Sequence, residues 1–495
     1  MTRFYWITGC LLLLLAACAP NENILTDSGV ELEFSSDTLT FDTVFTSIGS
    51  ATRILKVYNP NKQPIIIDRI SIRNAESSFR LNIDGVPTSD TSEVFIAAED
   101  SLYIFGEVTV DPDQDFSVSP FVISDAIVFN TNGNEQEVTL EAWGQNAIYL
   151  PNRFSRGRAV VYTCDTEWVW DDPRPYVIYG IIQIEECRLR IPAGARVYVH
   201  GGLASTTIPD PENMLDSVRF LYNDGRLVIG QTGSLVIDGT QEDSVVIQGD
   251  RLEPSFQDEL GQWYGIIFQP GSRGNRMTHA VVKNSILGVA VDSAAELRIE
   301  NSQIYNTSSS GLIGIRSTIT AENLLMYDNA SGALRLVYGG DYQFRYCTFA
   351  NYGFDAAALS MSNALCLNDL CTEYRPYRLN TTFINCIFTG SRRDELSFGA
   401  VPEAGFNYNF DHCILRIDEL DDEEPLTNFL DDCNNCIVYE RSDTLFASIE
   451  ADDYHLDTLS IAEERARPIF GIDLDLDGVP RDAMQPDIGC YEYEN

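Results

Sequence analysis

The sequence predicts an all-β protein built as a β-sandwich followed by a solenoid of stacked coils. Three observations carry that expectation. From about Arg188 to Asn351, short apolar strands recur, each bounded by Gly, Asn or Asp, as in RLRIPAGARVYV, GRLVIGQTGSLVIDG, WYGIIFQPGS and AELRIENSQIYN. No segment there has the length or the 3.6-residue period of a helix that covers a sheet, which disfavours helical crossovers. A chain that only alternates strand and turn stacks each coil on the last. Upstream, over residues 30–148, strands with turn signals between them lack that recurrence and read as a sandwich.

The 495 residues carry 74 acids against 33 bases, a formal charge of −41, and 44% hydrophobic residues, enough for substantial cores. Nucleic acid is excluded as a partner, because phosphate binding needs clustered Lys and Arg.

Residues 1–17 read as an export signal: Arg3 gives the charged start, Leu11 to Leu15 the apolar core and Ala16-Ala17 the small-residue site before Cys18. The core is too short for a permanent span. The LAAC tetrad resembles the bacterial lipoprotein signal, and that resemblance implies lipidation of Cys18, a membrane partner through the lipid anchor, and location at the outer membrane or cell surface. Residues 18–29 then form a polar tether.

The sandwich spans 30–148. Its stretch TLTFDTVFTSIGSATRILKVYNPNKQPIIIDRISI resembles immunoglobulin-like domains of centrosomal, flagellar and bacterial surface proteins, which implies a spacer or an interaction module.

Residues 149–187 are expected to connect the two parts and to cap the first coil. Trp168 and Trp170 there admit two readings, a sugar-stacking platform or a cover for the otherwise open end of the solenoid. Cys164 and Cys187 flank the section and are disulfide candidates in an exported, oxidising setting.

Coils are expected over 188–470. Aligning the strands places Ser285, Ser302, Leu324, Cys347, Cys386, Cys413 and Cys436 in one column, at steps of 17, 22, 23, 39, 27 and 23 residues. The residues two further on (Leu287, Ile304, Met326, Phe349, Phe388, Leu415, Val438) are all apolar, so the column points inward. The 39-residue step holds either two coils or one coil with an insertion. Cysteines in the column act as small hydrophobes, which removes Cys433-Asn-Asn-Cys436 as a zinc or redox pair. Cys366 and Cys371, in a polar insertion, are candidates for a local disulfide.

The run with PAGARVYVHGG, GSLVIDG and GQWYGIIFQPGS resembles the right-handed parallel β-helix proteins of the pectin-lyase-like superfamily. The W-x-G-I-x-F element (Trp263, Gly265, Ile266, Phe268) and the ending DGVPRDAMQPDIGCYEY resemble β-helix surface lipoproteins of Bacteroidetes-type bacteria. The resemblance covers 188–495. It implies the fold and leaves the chemistry open, because the superfamily hosts lyases, hydrolases, adhesins and members without known activity.

The closing element, 471–495, opens with Asp473, Asp475 and Asp477 before Gly478, the start of a D-x-D-x-D-G calcium loop. The later Glu of such loops is missing, so the rival reading is a structural turn with Arg481 paired to a carboxylate.

Two functions follow from this reading. One is a surface β-helix that binds or scaffolds a glycan or a surface protein. The other is a polysaccharide lyase or glycoside hydrolase, which needs a base beside a neutralised uronate or a pair of carboxylates about one glycosidic bond. Asp292, Glu296, Glu300, Glu322, Arg298, Arg316, Arg335 and Arg345 lie in the regular coils, but no catalytic motif emerges from them, and the four histidines are scattered. The sequence therefore favours the binding reading and names no catalytic residue.

Overall fold

The computed structural model describes residues 23–45, 52–109, 121–151, 159–209, 217–252, 256–368, 370–420 and 429–494. The export signal and Cys18 lie outside the described residues. The chain divides into two compact units, Met1–Asn146 and Ala147–Asn495.

The first unit is a β-sandwich of two five-stranded sheets. One sheet centres on Ser101–Val108, flanked by Arg53–Tyr58 and Phe79–Ile83; the other centres on Phe121–Thr131, between Asn134–Gln145 and Ile65–Ile72. Alternate residues of Ser101–Val108 are buried, as a strand with one face in a core requires. Leu55, Val57, Ile65, Ile67, Ile70, Ile104, Phe129 and Leu140 fill the space between the sheets. The segment expected as a tether is held to this sandwich from its Asn23 end. Leu25 donates its N–H to Pro64 O at 2.9 Å, and Asn132 Nδ2 bonds Leu25 O at 2.9 Å.

The second unit is a parallel β-helix with three faces. Face A runs from Glu167–Val169 through Glu296–Glu300 to Phe406–Asp411, and face B from Ile148–Leu150 through Ser302–Thr307 to Ile437–Val438. Face C stacks nine strands from Ala159–Tyr162 to Leu396–Gly399.

The corners explain why the chain folds this way. His279, Asn301, Asn323, Tyr346, Asn385, His412 and Asn435 all have φ between 46° and 57° and turn the chain from face A to face B. Asn284, Asn306 and Asp328 form a second left-handed column, and Ala294, Arg316 and Tyr338 a third. Asn and Asp enter this region at the least cost among residues with a Cβ, which is why polar residues punctuate each coil. Gly265 of the W-x-G-I-x-F element has φ +138°, and a Cβ there would lie 1.8 Å from Leu287 O. Only glycine fits at that approach.

The register corrects the head of the expected column. Val281 pairs with Gln303 and Val282 with Ile304, so Ala280 precedes Ser302 and accounts for the coil in a 22-residue step. Ser285 instead bridges to Trp263, beyond the second corner. From Ser302 onward the expected register holds through Leu324, Cys347, Cys386 and Cys413. Thr348 lies directly beside Ile387, so the 39-residue step is one coil with an insertion, the hairpin Ala364–Cys366 with Tyr374–Pro376. Phe349 stacks on Phe388 at 4.9 Å and Phe344 on Phe383 at 5.3 Å, forming aromatic ladders in the interior.

At the last coil the alternation fails. Val438 is 37% exposed, although Leu415, its neighbour one coil before, is buried. Face B ends there, so nothing stacks on Val438. Cys436 is correspondingly drawn out of the column into a disulfide with Cys433, against the expectation that it stays a core thiol. Both candidate disulfides, Cys164–Cys187 and Cys366–Cys371, are present.

The coils also begin earlier and end sooner than expected. Ile148–Leu150, Glu167–Val169 and Tyr176–Tyr179 already pair in parallel with later strands, so the expected connector is built into the helix. Trp170 is fully buried and stacks on Tyr176 at 4.7 Å, which removes it as a sugar platform and leaves the covering role. After Val438 the chain leaves the coils, and residues 439–493 pack on the outer side of face B, where Leu325, Ala350, Ile387 and Ile414 meet Tyr454, Leu456, Ile472, Ile488 and Tyr491.

Candidate functional site

The acids and arginines singled out in the coils divide into two groups. Arg298, Glu300, Glu322 and Arg345 converge on the outer side of face A. There Arg298 contacts Glu300 at 2.5 Å and Glu322 at 3.7 Å, and Arg345 contacts Glu322 at 2.7 Å. Arg190 and Arg276 both pair with Asp238 on the same face. This is an ion ladder in which each carboxylate already has its cation, and its bond to Glu300 raises the Arg298 pKa. The remaining residues are dispersed. Asp292 accepts from the Ser293 N–H and hydroxyl, Glu296 pairs with Arg273, Arg316 bonds Ser293 Oγ and lies 4.4 Å from the Tyr377 ring, and half-buried Arg335 lies beside Ser360 on face C.

The closing element does not gather Asp473, Asp475 and Asp477 around a cation. Asp475 is buried and accepts backbone N–H bonds from Asp477, Val479 and Glu492 at 2.7–2.9 Å. Asp477 pairs with His455 Nε2 at 2.8 Å, while Asp473 is exposed and takes part through its carbonyl, which accepts from the Arg481 N–H. Among the described residues, no group of three His, Cys, Asp or Glu is arranged to hold a metal. Arg481 lies at the centre of this element, its side chain only 2% exposed, paired with Glu492 at 3.2 Å and 3.9 Å above the Tyr346 ring. Its Nη2 also donates to Asn323 Oδ1, Gly489 O and Cys490 O. Corner residues of the coils complete the attachment: Asn323 Nδ2 bonds Leu474 O at 2.9 Å, and Asn385 Nδ2 and Tyr346 Oη both bond Arg467 O.

The arrangement with most chemical capacity lies on face B, where this element meets the coils. Lys283, Tyr305 and Tyr327 occupy the same outward position in three successive coils. The two tyrosine rings stack at 4.5 Å with an interplanar angle of 11°, and Lys283 Nζ lies 5.6 Å from the Tyr305 centroid. Asp328 follows Tyr327 at the left-handed corner, with φ 50°. Asp452, also left-handed, ends the 3-10 turn Ile449–Ala451, and its carboxyl acts on that of Asp328. Asp258 acts on both carboxyls from the loop before Trp263. That loop is fixed by the corner residue Asn284, whose Nδ2 bonds Gln257 O and Glu259 O, and by Gln262 Nε2 on Phe256 O. Tyr454 packs 5.0 Å from Tyr327 and closes the floor.

Burial and the neighbouring charges of Asp452 and Asp258 push the Asp328 carboxyl up to about 6. Burial also raises Asp452, and it lowers the Lys283 ammonium against the pull of Asp258. Tyr305, Tyr327 and Tyr454 are all raised by burial and stay neutral donors. Tyr454 is 2% exposed, its hydroxyl is buried without a hydrogen-bond partner, and after burial the charges of Asp328 and Asp452 raise it further. Among the described residues, no Arg, Lys or His forms an ion pair with Asp258, Asp328 or Asp452.

Sequence reasoning missed this site. One signal was present: QIYN and LMYDN put Tyr305 and Tyr327, and Asn306 and Asp328, at the same 22-residue step. Asp452 and Tyr454 lie more than a hundred residues further along, and nothing local in the sequence ties them to those coils.

Residues 235–414 match the family described as "Right handed beta helix region". The protein is thus all-β, a β-sandwich followed by a right-handed parallel β-helix. No curated protein matches the sequence. Among solved structures, a protein of unknown function from Porphyromonas gingivalis is 14% identical with a TM-score of 0.18, covering 25% of this chain and 51% of that one, so this chain spans about half its length. A periplasmic alginate epimerase is 11% identical over 55% of this chain and 85% of that one, with a TM-score of 0.22. The catalytic unit of an α-1,3-glucanase from Streptomyces thermodiastaticus is 10% identical over 73% of each chain, with a TM-score of 0.24. At such scores none of them assigns an activity to this chain.

Proposed function

We propose that this protein is a surface-anchored glycan-binding β-helix and that the tyrosine–carboxylate patch on face B is where the glycan sits. The observation that carries this reading is the Tyr305–Tyr327 stack, half-buried and bordered by carboxyls that accept sugar hydroxyls. A ladder of stacked coils suits an extended polymer, because its outward residues repeat along the axis. In this reading Cys18 carries the lipid anchor at the outer membrane or cell surface, and the sandwich, taken as immunoglobulin-like, is a spacer or a docking module for a surface protein.

One observation favours a second reading. A carboxyl raised to about 6 by burial and by a neighbouring carboxylate is suited to act as a general acid, so Asp328, with Asp452 nearby, is the residue on which glycoside hydrolysis would rest. The test is to incubate the fragment from Ala19 onward with neutral, acidic and amino polysaccharides. Retardation of a polymer without new reducing ends supports binding, and new reducing ends lost in Asp328→Asn support hydrolysis. If no polymer is retarded or cleaved, both readings fall.

A further inference from the structure

Where face B ends, Arg416, Ile417, Leu430, Val438, Glu440 and Arg441 line an open cavity of about 580 Å3, a size in the range of about 300–1,000 Å3 common to ligand sites. Two guanidiniums reach it, and neither makes an ion pair among the described residues. They are held instead by adjacent main-chain carbonyls. Arg416 donates from Nη1 to Tyr439 O at 3.0 Å and from Nε to Arg392 O at 3.5 Å, and Arg441 donates from Nη2 to Ser391 O at 2.8 Å. Nη2 of Arg416 and Nε and Nη1 of Arg441 keep their donors for another acceptor. The acids nearby do not take them. Asp418, in the same wall, pairs with Arg393 Nε at 3.0 Å, and the buried Glu395 carboxyl, on which Arg416 acts, is held by the N–H groups of Ala358 and Arg392.

Two further features describe what fits. Ile437–Val438 is the last strand of face B and pairs only with Ile414–Leu415 among the described residues. Ile437 and Tyr439 donate their N–H groups to Cys413 O and Leu415 O. By the alternation of a parallel strand, the N–H and C=O of Val438 therefore point to the side where a further coil would lie, the kind of edge that an added strand completes. No aromatic ring lines the cavity, so it lacks a stacking surface for sugars, and its apolar residues Ile417, Leu430 and Val438 are all aliphatic.

We propose that this cavity captures the C-terminal end of a polypeptide partner. The terminal carboxylate sits between Arg416 and Arg441, an aliphatic last side chain packs on Ile417, Leu430 and Val438, and the main chain runs alongside Val438. Arginine suits this role because its planar fork matches a carboxylate. Glu440, also in the wall, disfavours a last residue with a second negative charge. The site is separate from the tyrosine patch and does not rest on the glycan reading.

The probes are fluorescein-labelled hexapeptides titrated into the fragment from Ala19 onward and followed by polarisation: one ending in valine with a free carboxylate, its C-terminal amide, and one ending in aspartate. The valine acid is expected to bind roughly tenfold more tightly than the amide, with the aspartate peptide weaker than the valine acid. Arg416→Gln and Arg441→Gln are each expected to bring acid and amide within about threefold of one another. Arg441 is exposed, so the second variant keeps the parent's melting temperature and separates lost binding from lost fold. Tyr305→Ala leaves peptide binding unchanged. Equal affinity for acid and amide in the parent overturns the carboxylate capture. No binding of the valine acid at millimolar concentration overturns the site. Displacement of the valine acid by free glucuronate at equal affinity shows that a carboxylate alone is read, and overturns the peptide part of the proposal.

Discussion

Replacing Arg481 by Leu detaches the element that packs beside the Tyr305–Tyr327 stack. Arg481 is buried, pairs with Glu492, donates to one side-chain and two main-chain acceptors, and covers the Tyr346 ring. Burial raises the carboxyls of Asp475, Asp487 and Glu492, and Arg481 is the cation that pulls each of them back. Removing one partner of a buried, hydrogen-bonded pair costs about 3–5 kcal/mol, because the other charge stays behind without compensation. Loss of the ring contact adds roughly 0.5–1 kcal/mol. Leu keeps much of the volume, so the loss is electrostatic and concentrated on residues 439–494. Hydrogen exchange with peptide-level readout should show those peptides losing protection by two to three orders of magnitude, as about 4 kcal/mol implies, while the coils from Leu189 to Phe349 keep theirs. Arg481→Lys retains the charge but not the planar fork, and falls between the two. Unchanged protection of residues 439–494 in Arg481→Leu would refute the assignment of Arg481 as the attachment point.

Three further outcomes follow from the same structure. The Asp328 carboxyl titrates near 6 in the fold against 3.8 when unperturbed, so its neutral form favours the folded state, and stability falls as pH rises from about 4 through 6. Asp328→Asn should therefore melt like the parent at pH 4 and be more stable at pH 8, by about 1 kcal/mol once solvent screening of its exposed part is allowed for; equal melting at both pH values would count against the burial of the Asp328 carboxyl. His455, between Asp453 and Asp477, is raised to about 9, so its contribution is complete below 6.5 and lost as pH rises through 9. Half its side chain is exposed, which limits the effect to about 1 kcal/mol or less, and His455→Asn should flatten the fall in melting temperature between pH 7 and 10. Cys18→Ala should move the protein from the membrane pellet to the soluble fraction, and retention in the pellet would end the anchor proposal.

Much of the fold was legible because a β-helix repeats its constraints. Inward residues recur at every coil, and left-handed corners call for Asn or Asp, so Asn301, Asn323 and Asn385 announce themselves. Ser285 misled for a physical reason: Lys283-Asn284-Ser285 imitates the corner-and-core pattern but belongs to the second corner, and only the strand register separates the two. Cys436 misled because a column says nothing about where stacking stops. The face B patch was hidden for a different reason. Its coil half, Tyr305, Tyr327 and Asp328, is periodic, but its other half comes from a non-repeating element whose docking depends on Arg481, Asn323 and Tyr346 meeting in space. The three carboxylates of the closing element looked like cation ligands because turn-forming and metal-binding Asp share a spacing. Which they are is decided by the N–H groups that reach Asp475.

The most direct test of the central claim is a calorimetric titration of the retained polymer into the parent, Tyr305→Ala and Tyr327→Ala. Each tyrosine removed from the stack should weaken binding by about 1–2 kcal/mol, by analogy with the loss of an aromatic contact and its buried area, and should lower stability by about 1–2 kcal/mol without unfolding the coils, because the rings also pack on each other and Tyr327 on Tyr454. Polymer affinity that is the same in all three proteins would place the glycan elsewhere and contradict the account.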